Sequence, residues 1–311
     1  MTARIGYLLP TREQIMEGRP ETAPLLHLAA QARDHGFDSV WVGDSLTARP
    51  RHDPLTLLAA VAGRVPGLTL GTAVLLPALR NPVLLAHQVA TLDQLAEGRL
   101  ILGVGLAADR PNIRAEFAAA GVPFEQRIGR MLEGLRLCKA LWSGQPVDWD
   151  GRWQMAGAVV APTPARSGGP LLWIGGNLPA SLVRAGRHFD GWFPIAPSAP
   201  AFAEGLRTVK RVAAEHGRDP AALSGAMYLT ISLDDDAARA EDRLNRFLEA
   251  YYDVPAAQTR RRQASYCGPA EGLKPWLDAY GAAGASHLVL RFAGDHAHHL
   301  ARVARLLDRG S

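Results

Sequence analysis

Short apolar runs rich in Val, Ile and Leu alternate with longer amphipathic patterns along the chain, and the alternation repeats eight times. Strands are expected at residues 4–9, 39–42, 68–75, 100–104, 171–175, 191–195, 226–233 and 287–292. Helices are expected between them at 22–35, 54–64, 82–96, 124–142, 180–188, 199–216, 236–252 and 270–283, with a closing helix at 295–308. Asp53-Pro54 and Asn81-Pro82 each set a capping side chain before a proline at the first helical position. Gly36, Gly98 and Gly217 follow helix ends, where a left-handed residue stops the turn.

Eight βα units fit either a closed (β/α)8 barrel or a doubly wound open sheet with an extra domain. At 311 residues with no composition break, the chain favours one TIM-barrel domain over residues 1–311. Runs such as "LILGV", "LLWIG" and "HLVLRF" are near-continuously apolar, as strands buried on both faces of a parallel sheet should be. Two connections are too long for simple turns: 144–169 after the fourth strand, and 253–268 after the seventh. Both are read as insertions, the first as a packed hairpin carrying Trp149, Trp153 and Met155.

Composition excludes several classes. The net charge is +4, but the basic residues are scattered, and the only dense group, Arg260 to Arg262, reads as a solvated loop and makes no nucleic-acid stripe. No apolar run approaches a membrane span, and the first residues lack a secretory pattern, so a cytoplasmic protein is expected. Cys138 and Cys267 have no metal-ligand spacing and are read as ordinary thiols. Asp295, His298 and His299 do not share one helix face, so no metal is expected. No G-x-S-x-G turn anchors a hydrolase.

The stretch "RLILGVGLAADRP" places Gly103, Gly105 and Ala108 in dinucleotide-loop spacing. That reading requires an acidic ribose ligand at a strand end about 20 residues on. The chain there runs "PFEQR" at a helix start, so the Rossmann reading falls and the glycines belong to the fourth barrel strand.

In a barrel, chemistry gathers where strands end and βα loops begin. The second strand ends "VGDS", which brings Asp44 and Ser45 to the mouth. After the fifth strand, Gly175, Gly176 and Asn177 precede a helix, so free N–H groups and the positive dipole end make this the candidate phosphate site. Pro194 and Ile195 close the sixth strand as a second wall. Arg127 after the fourth strand, and Arg49, Arg51 and His52 after the second, are guanidinium and imidazole candidates for an anionic ligand.

Residues 68–105, "LTLGTAVLLPALRNPVLLAHQVATLDQLAEGRLILGVG", together with "GVPFEQRIGRMLEGLRLCKALWSGQPVDWDGRWQM" and "PLLWIGGNLPASLVRAGRHFDGWFPI", closely resemble the luciferase-like monooxygenase superfamily. The resemblance implies a (β/α)8 barrel that binds reduced FMN or the deazaflavin coenzyme F-420 at its C-terminal face, with "GVPFEQR…LWSG" and "DGRW" closest to the deazaflavin branch. It also implies a non-prolyl cis peptide at Ala73 and Val74 behind the ring, and a homodimer. FMN would require a flavin reductase; the deazaflavin would favour direct hydride transfer.

Relatives often carry His where this chain has Ser45, which argues against the sugar-phosphate dehydrogenase branch. They often follow the fourth strand with Gly-Trp and an acidic pair, where this chain has "LAADRPNIRAEF". On this reading Asp44 and Arg127 are the candidate catalytic groups, and Ala73, Val74, Gly175, Gly176, Asn177, Pro194 and Ile195 hold the cofactor. Ser45, Arg51, Asp109 and Arg110 meet a small organic substrate. A barrel that binds flavin without turnover stays open as the second class.

Overall fold

The computed structural model describes residues 3–308. From the N-terminus run β1 (Arg4–Leu8), α1 (Thr11–Met16), α2 (Ala23–Asp34), β2 (Ser39–Val42), α3 (Pro54–Arg64), β3 (Thr69–Leu75), α4 (Pro82–Leu95), β4 (Leu100–Val104), α5 (Pro111–Ala119) and α6 (Arg127–Leu141). A hairpin of β5 (Val147–Asp150) and β6 (Gln154–Ala158) follows, then β7 (Leu171–Ile174), α7 (Pro179–His188), β8 (Gly191–Trp192), α8 (Ala199–Glu215) and β9 (Ser224–Leu233). The chain ends with α9 (Ala237–Tyr252), α10 (Ala256–Arg260), β10 (Ser265–Gly268), α11 (Leu273–Ala282), β11 (His287–Phe292) and α12 (His296–Leu306).

Strands β1, β2, β3, β4, β7, β8, β9 and β11 pair in that order, all parallel, and β11 returns to β1 to close the barrel. The expected capping chemistry is present: Asp53 accepts from the Thr56 N–H at 2.9 Å, Asn81 from Val83 at 2.9 Å, and Gly36, Gly98 and Gly217 all lie at positive φ. The expected sixth strand is shortened to Gly191–Trp192, because Pro194 has no N–H to continue a ladder. Beside the free half of β9, the second insertion supplies a strand the sequence pattern did not reveal: β10 pairs from Ser265↔Thr230 to Gly268↔Leu233. The first insertion is the packed hairpin expected, tied to α6 where Glu133 accepts the Arg152 N–H at 2.7 Å.

The barrel separates two apolar regions. Outward residues such as Val40, Leu102 and Leu290 pack against the helices, while alternate residues Leu8, Trp41, Ile101, Trp173, Phe193 and Val289 fill the interior. The interior is dominated by Trp41 and Trp173, stacked with centroids 5.6 Å apart and both buried. Strand glycines make room for them. A side chain at Gly71 would run into the Trp41 ring, one at Gly191 into Trp173, and one at Gly6 into Trp41 and Ser39. His287 lies edge-on to both indoles in the same layer, with Nε2 3.3 Å from the Ser39 hydroxyl.

Gly71→Ala therefore overpacks the barrel and is expected to cost about 1–3 kcal/mol. Gly63→Ala, in helix α3 with open space around it, is expected to stabilise by a few tenths to about 1 kcal/mol. Denaturant titration of the two variants should give opposite signs; equal effects would refute the role of the floor. Burial lowers His287 and His299 from 6.5 to about 4, and both are neutral in the folded chain. Protons bind the unfolded chain more readily between those values, so this stability is intact above about pH 6.5 and is lost as pH falls toward 4. Thermal melts across that window should show a falling midpoint, with His299→Gln flattening the dependence.

Candidate active site at the barrel mouth

On the side of the mouth formed by β3, β4 and β7, the backbone is bare. Gly103 and Gly105 let β4 pack closely on the Thr72 carbonyl and the Val74 side chain, and Gly175 at the end of β7 is open, since a Cβ there would make only ordinary contacts, 3.4 Å from the Phe193 carbonyl oxygen and 3.8 Å from Val74. The Ala73–Val74 peptide is cis, as the resemblance implied, and it lies where the β3–β4 register shifts between Thr72 and Leu75. Ala73, Val74 and Phe193 belong to one interior apolar group, so this side is a smooth hydrophobic wall. Gly176, at φ +101°, turns the chain, and its carbonyl accepts the Trp192 indole N–H at 2.7 Å. Asn177 follows in the open, and α7 begins at Pro179 with no side-chain cap. Pro194 is buried, and Ile195 beside it is exposed.

Asp44 reaches the mouth, but its carboxylate is fully engaged. It pairs with both terminal nitrogens of Arg80 at 2.5 and 3.0 Å and accepts the Leu76 N–H at 2.9 Å, with the side chain 2% exposed. This geometry gives Asp44 the task of fixing the β2 loop to the end of β3. Ser45 is buried, donating to Glu116 at 2.6 Å and accepting the Arg49 N–H at 2.9 Å. The same Glu116 oxygen accepts the N–H groups of Leu46 and Thr47, so α5 holds the loop that follows β2.

Arg127 caps the rim near α7. Its guanidinium lies 3.8 Å from the Phe124 ring centre and donates to the Phe124 carbonyl at 3.0 Å, while its Nε is buried without a partner. Asp109 is exposed and paired with Arg114 at 2.6 Å, and Arg114 also binds Glu125. Arg110 precedes α5 at the same rim. The guanidinium beside Asp109 holds its carboxyl below the usual range.

The opposite side, formed by β1, β2, β9 and β11, is polar and aromatic. Arg291 is fully buried, and its guanidinium carbon is 4.5 Å from the Tyr251 ring centre, 5.2 Å from Tyr252 and 5.3 Å from Tyr228. Arg12 and Arg51 approach the same Tyr251 ring at 4.9 and 5.9 Å. Arg51 Nη1 fills the space a side chain at Gly43, just after β2, would take, and the Ala73 carbonyl borders the same space. Glu13, in the first turn of α1, is the carboxyl of this cluster. Burial raises its pKa despite Arg291, Arg51 and Arg12, and its Oε1 has no partner.

Of the sequence candidates, Arg51 therefore belongs to this cluster, and the bare wall brings together Ala73, Val74 and Gly175. The reading by strand ends missed Arg12, Glu13, Tyr251, Tyr252 and Arg291. A single charged residue inside the apolar run "HLVLRF" was the signal for Arg291. His52 turns away, with Nε2 2.8 Å from the Pro20 carbonyl oxygen. Among the described residues no group of His, Cys, Asp and Glu could hold a metal ion. His299 instead accepts the Leu233 N–H.

A family model described as luciferase-like monooxygenase matches residues 3–311. The F420-dependent glucose-6-phosphate dehydrogenase of Nocardia farcinica is 31% identical, covering 87% of this chain and 88% of its own. The 5,10-methylenetetrahydromethanopterin reductase of Methanolobus tindarius is 31% identical over 70% of this chain and 64% of its own. Among solved structures, an F420-dependent secondary alcohol dehydrogenase in complex with an F420-acetone adduct superposes with a TM-score of 0.84 at 21% identity, covering all of both chains.

Asp44→Ala leaves Arg80 with only its longer pairing to Asp53 at 3.3 Å and should cost about 2–4 kcal/mol of stability in denaturant melts. A variant that loses activity with unchanged stability would instead make Asp44 a proton-transfer group.

Proposed function

The chain belongs to the luciferase-like monooxygenase family, and from that premise we propose that it is a coenzyme F-420-dependent oxidoreductase that exchanges a hydride with a small organic substrate. The carrying observation is the open strand end at Gly175, beside Val74 and the Phe193 carbonyl, where a side chain would meet only ordinary contacts, while Gly103 and Gly105 let β4 pack closely on Thr72 and Val74 behind it. The relative matched over most of both chains is F420-dependent, which supports the deazaflavin over FMN. When bound, the coenzyme supplies the two-electron chemistry, and the protein positions it and handles the proton.

In this reading Ala73, Val74 and Gly175 hold the ring. Gly176, Asn177 and the positive end of α7 meet the phosphate, and Arg127 brings an unpartnered guanidinium N–H to the same rim. Pro194 and Ile195 border that tail. Glu13 receives or returns the substrate proton, because burial holds its carboxyl closer to neutral pH than an ordinary carboxylate. Asp109 and Arg110 line the entrance. With the deazaflavin no flavin reductase is required. Leu84 and Leu95, both exposed and eleven residues apart on one side of α4, mark the surface we assign to a homodimer. A monomer in light scattering would remove that assignment.

The test is a titration of the purified protein with F420 and with FMN, followed by anaerobic and aerobic turnover. F420 is expected to bind and to be reduced or oxidised without oxygen. Binding of FMN alone with oxygen consumption would overturn the deazaflavin reading, and binding without turnover on a broad substrate panel would favour a non-catalytic barrel. Gly175→Leu should weaken coenzyme affinity about tenfold or more at unchanged fold, whereas Gly175→Ala should keep it.

A further inference from the structure

We propose that the cluster of Arg12, Arg51 and Arg291 around Tyr251 is an oxyanion-binding site, and that the substrate carries a carboxylate or phosphate group seated there. The inference deepens the oxidoreductase reading and rests on it for the placement of the coenzyme on the opposite, glycine-lined wall. Three guanidinium carbons stand within 6 Å of one ring centre, at 4.9, 5.9 and 4.5 Å. Glu13 is a carboxyl that acts on all three guanidinium groups, one acid set against three cations.

The donors are also in excess. A guanidinium carries five N–H groups in a planar fork. Arg291 is fully buried, yet only Nη2 finds an oxygen, the Thr230 hydroxyl at 3.0 Å, while Nε and Nη1 have none. Arg51 donates through Nε to the Arg49 carbonyl at 3.2 Å, and Arg12 Nε is buried without a partner. The tyrosine faces attract the cations and Tyr251 accepts from Arg51, but the rings leave the Arg12 and Arg291 donors unsatisfied and do not relieve repulsion among three like charges. An oxyanion satisfies the donors and relieves the repulsion, because its lone pairs match the guanidinium fork.

Position selects the substrate over the coenzyme as the source of that anion. Arg51 reaches the end of β2 at Gly43, and Arg291 projects from the end of β11, across the barrel from the α7 N-terminus assigned to the coenzyme phosphate. A substrate held here by its charged end would lie between the cluster and the bare wall, with Glu13 alongside.

The experiment uses the full chain with inorganic phosphate and acetate as probes, at constant ionic strength, and measures F420 affinity separately by its fluorescence. One or both anions should raise the melting temperature and bind in calorimetry, and which one does so separates phosphate from carboxylate. Arg12→Gln and Arg51→Gln, on half-buried positions, should each weaken that binding about tenfold or more while F420 affinity moves less than about twofold. Arg51→Lys should restore part of it. Absence of anion binding by the native protein, or equal binding by native and variant proteins, overturns the site. Parallel loss of F420 affinity in the variants assigns the anion to the coenzyme tail and overturns the substrate reading. Failure of F420 to bind the native protein, with anion binding intact and sensitive to the variants, overturns the oxidoreductase reading and supports the anion site.

Discussion

The stacked indoles of Trp41 and Trp173 decide where anything else in this barrel can happen. They fill the lower interior only because Gly6, Gly71 and Gly191 withhold side chains from the strands facing them. Parallel strands could instead have carried branched residues throughout, giving an interior packed to the top with no room for a ligand. Concentrating bulk in two aromatic rings near the floor leaves the upper strand ends free to carry glycine on one side and charge on the other. His287 joins that floor as a neutral ring, which is why burial and not chemistry governs its titration.

The two sides of the mouth are kept apart by fixed loops. Asp44 and Arg80 tie the end of β2 to the loop after β3, and Glu116 gathers the hydroxyl of Ser45 with successive backbone N–H groups. Those contacts consume the polar groups that first attract attention at the strand ends. They also leave Arg51, a few residues further along the same loop, reaching back to the end of β2 at Gly43. Fixing the loop at both anchors sets the distance between the apolar wall and the guanidinium cluster, which is the distance a coenzyme ring and a substrate would have to share.

The alternation of strands and helices was legible because it depends on local periodicity, and the caps at Asp53 and Asn81 were legible because a single side chain makes them. The second insertion was not, since β10 earns its strand only by pairing with β9 over residues 230–233, a partnership far away in sequence. The cis Ala73–Val74 peptide is present as the resemblance implied, and Gly175 lies at a strand end as its place in the pattern required. Asp44 and Ser45 were placed correctly at the mouth, but sequence cannot show that Arg80 and Glu116 claim their polar atoms. Arg12 and Glu13 lie in a six-residue helix too short for periodicity to register. Tyr251 and Tyr252 looked like the end of an amphipathic helix, and only the closing of the barrel carries them to Arg291.

Arg291 is the residue whose presence most needs a reason. Burying a guanidinium costs several kcal/mol unless it is paired and fully hydrogen-bonded, and replacing a buried charge by an apolar side chain of similar size is often neutral or stabilising. The flanking residues of β11 are apolar and equally buried, so the strand itself gains nothing from a charge at this position. Tyrosine rings and Thr230 lower the cost without meeting all the donors. A site that holds unspent donors in a water-poor mouth binds an acceptor more strongly than the same groups would in water, because they need no reorganisation to receive it. On the proposed reading, the cost of burying Arg291 with unspent donors is the counterpart of selectivity for a charged ligand.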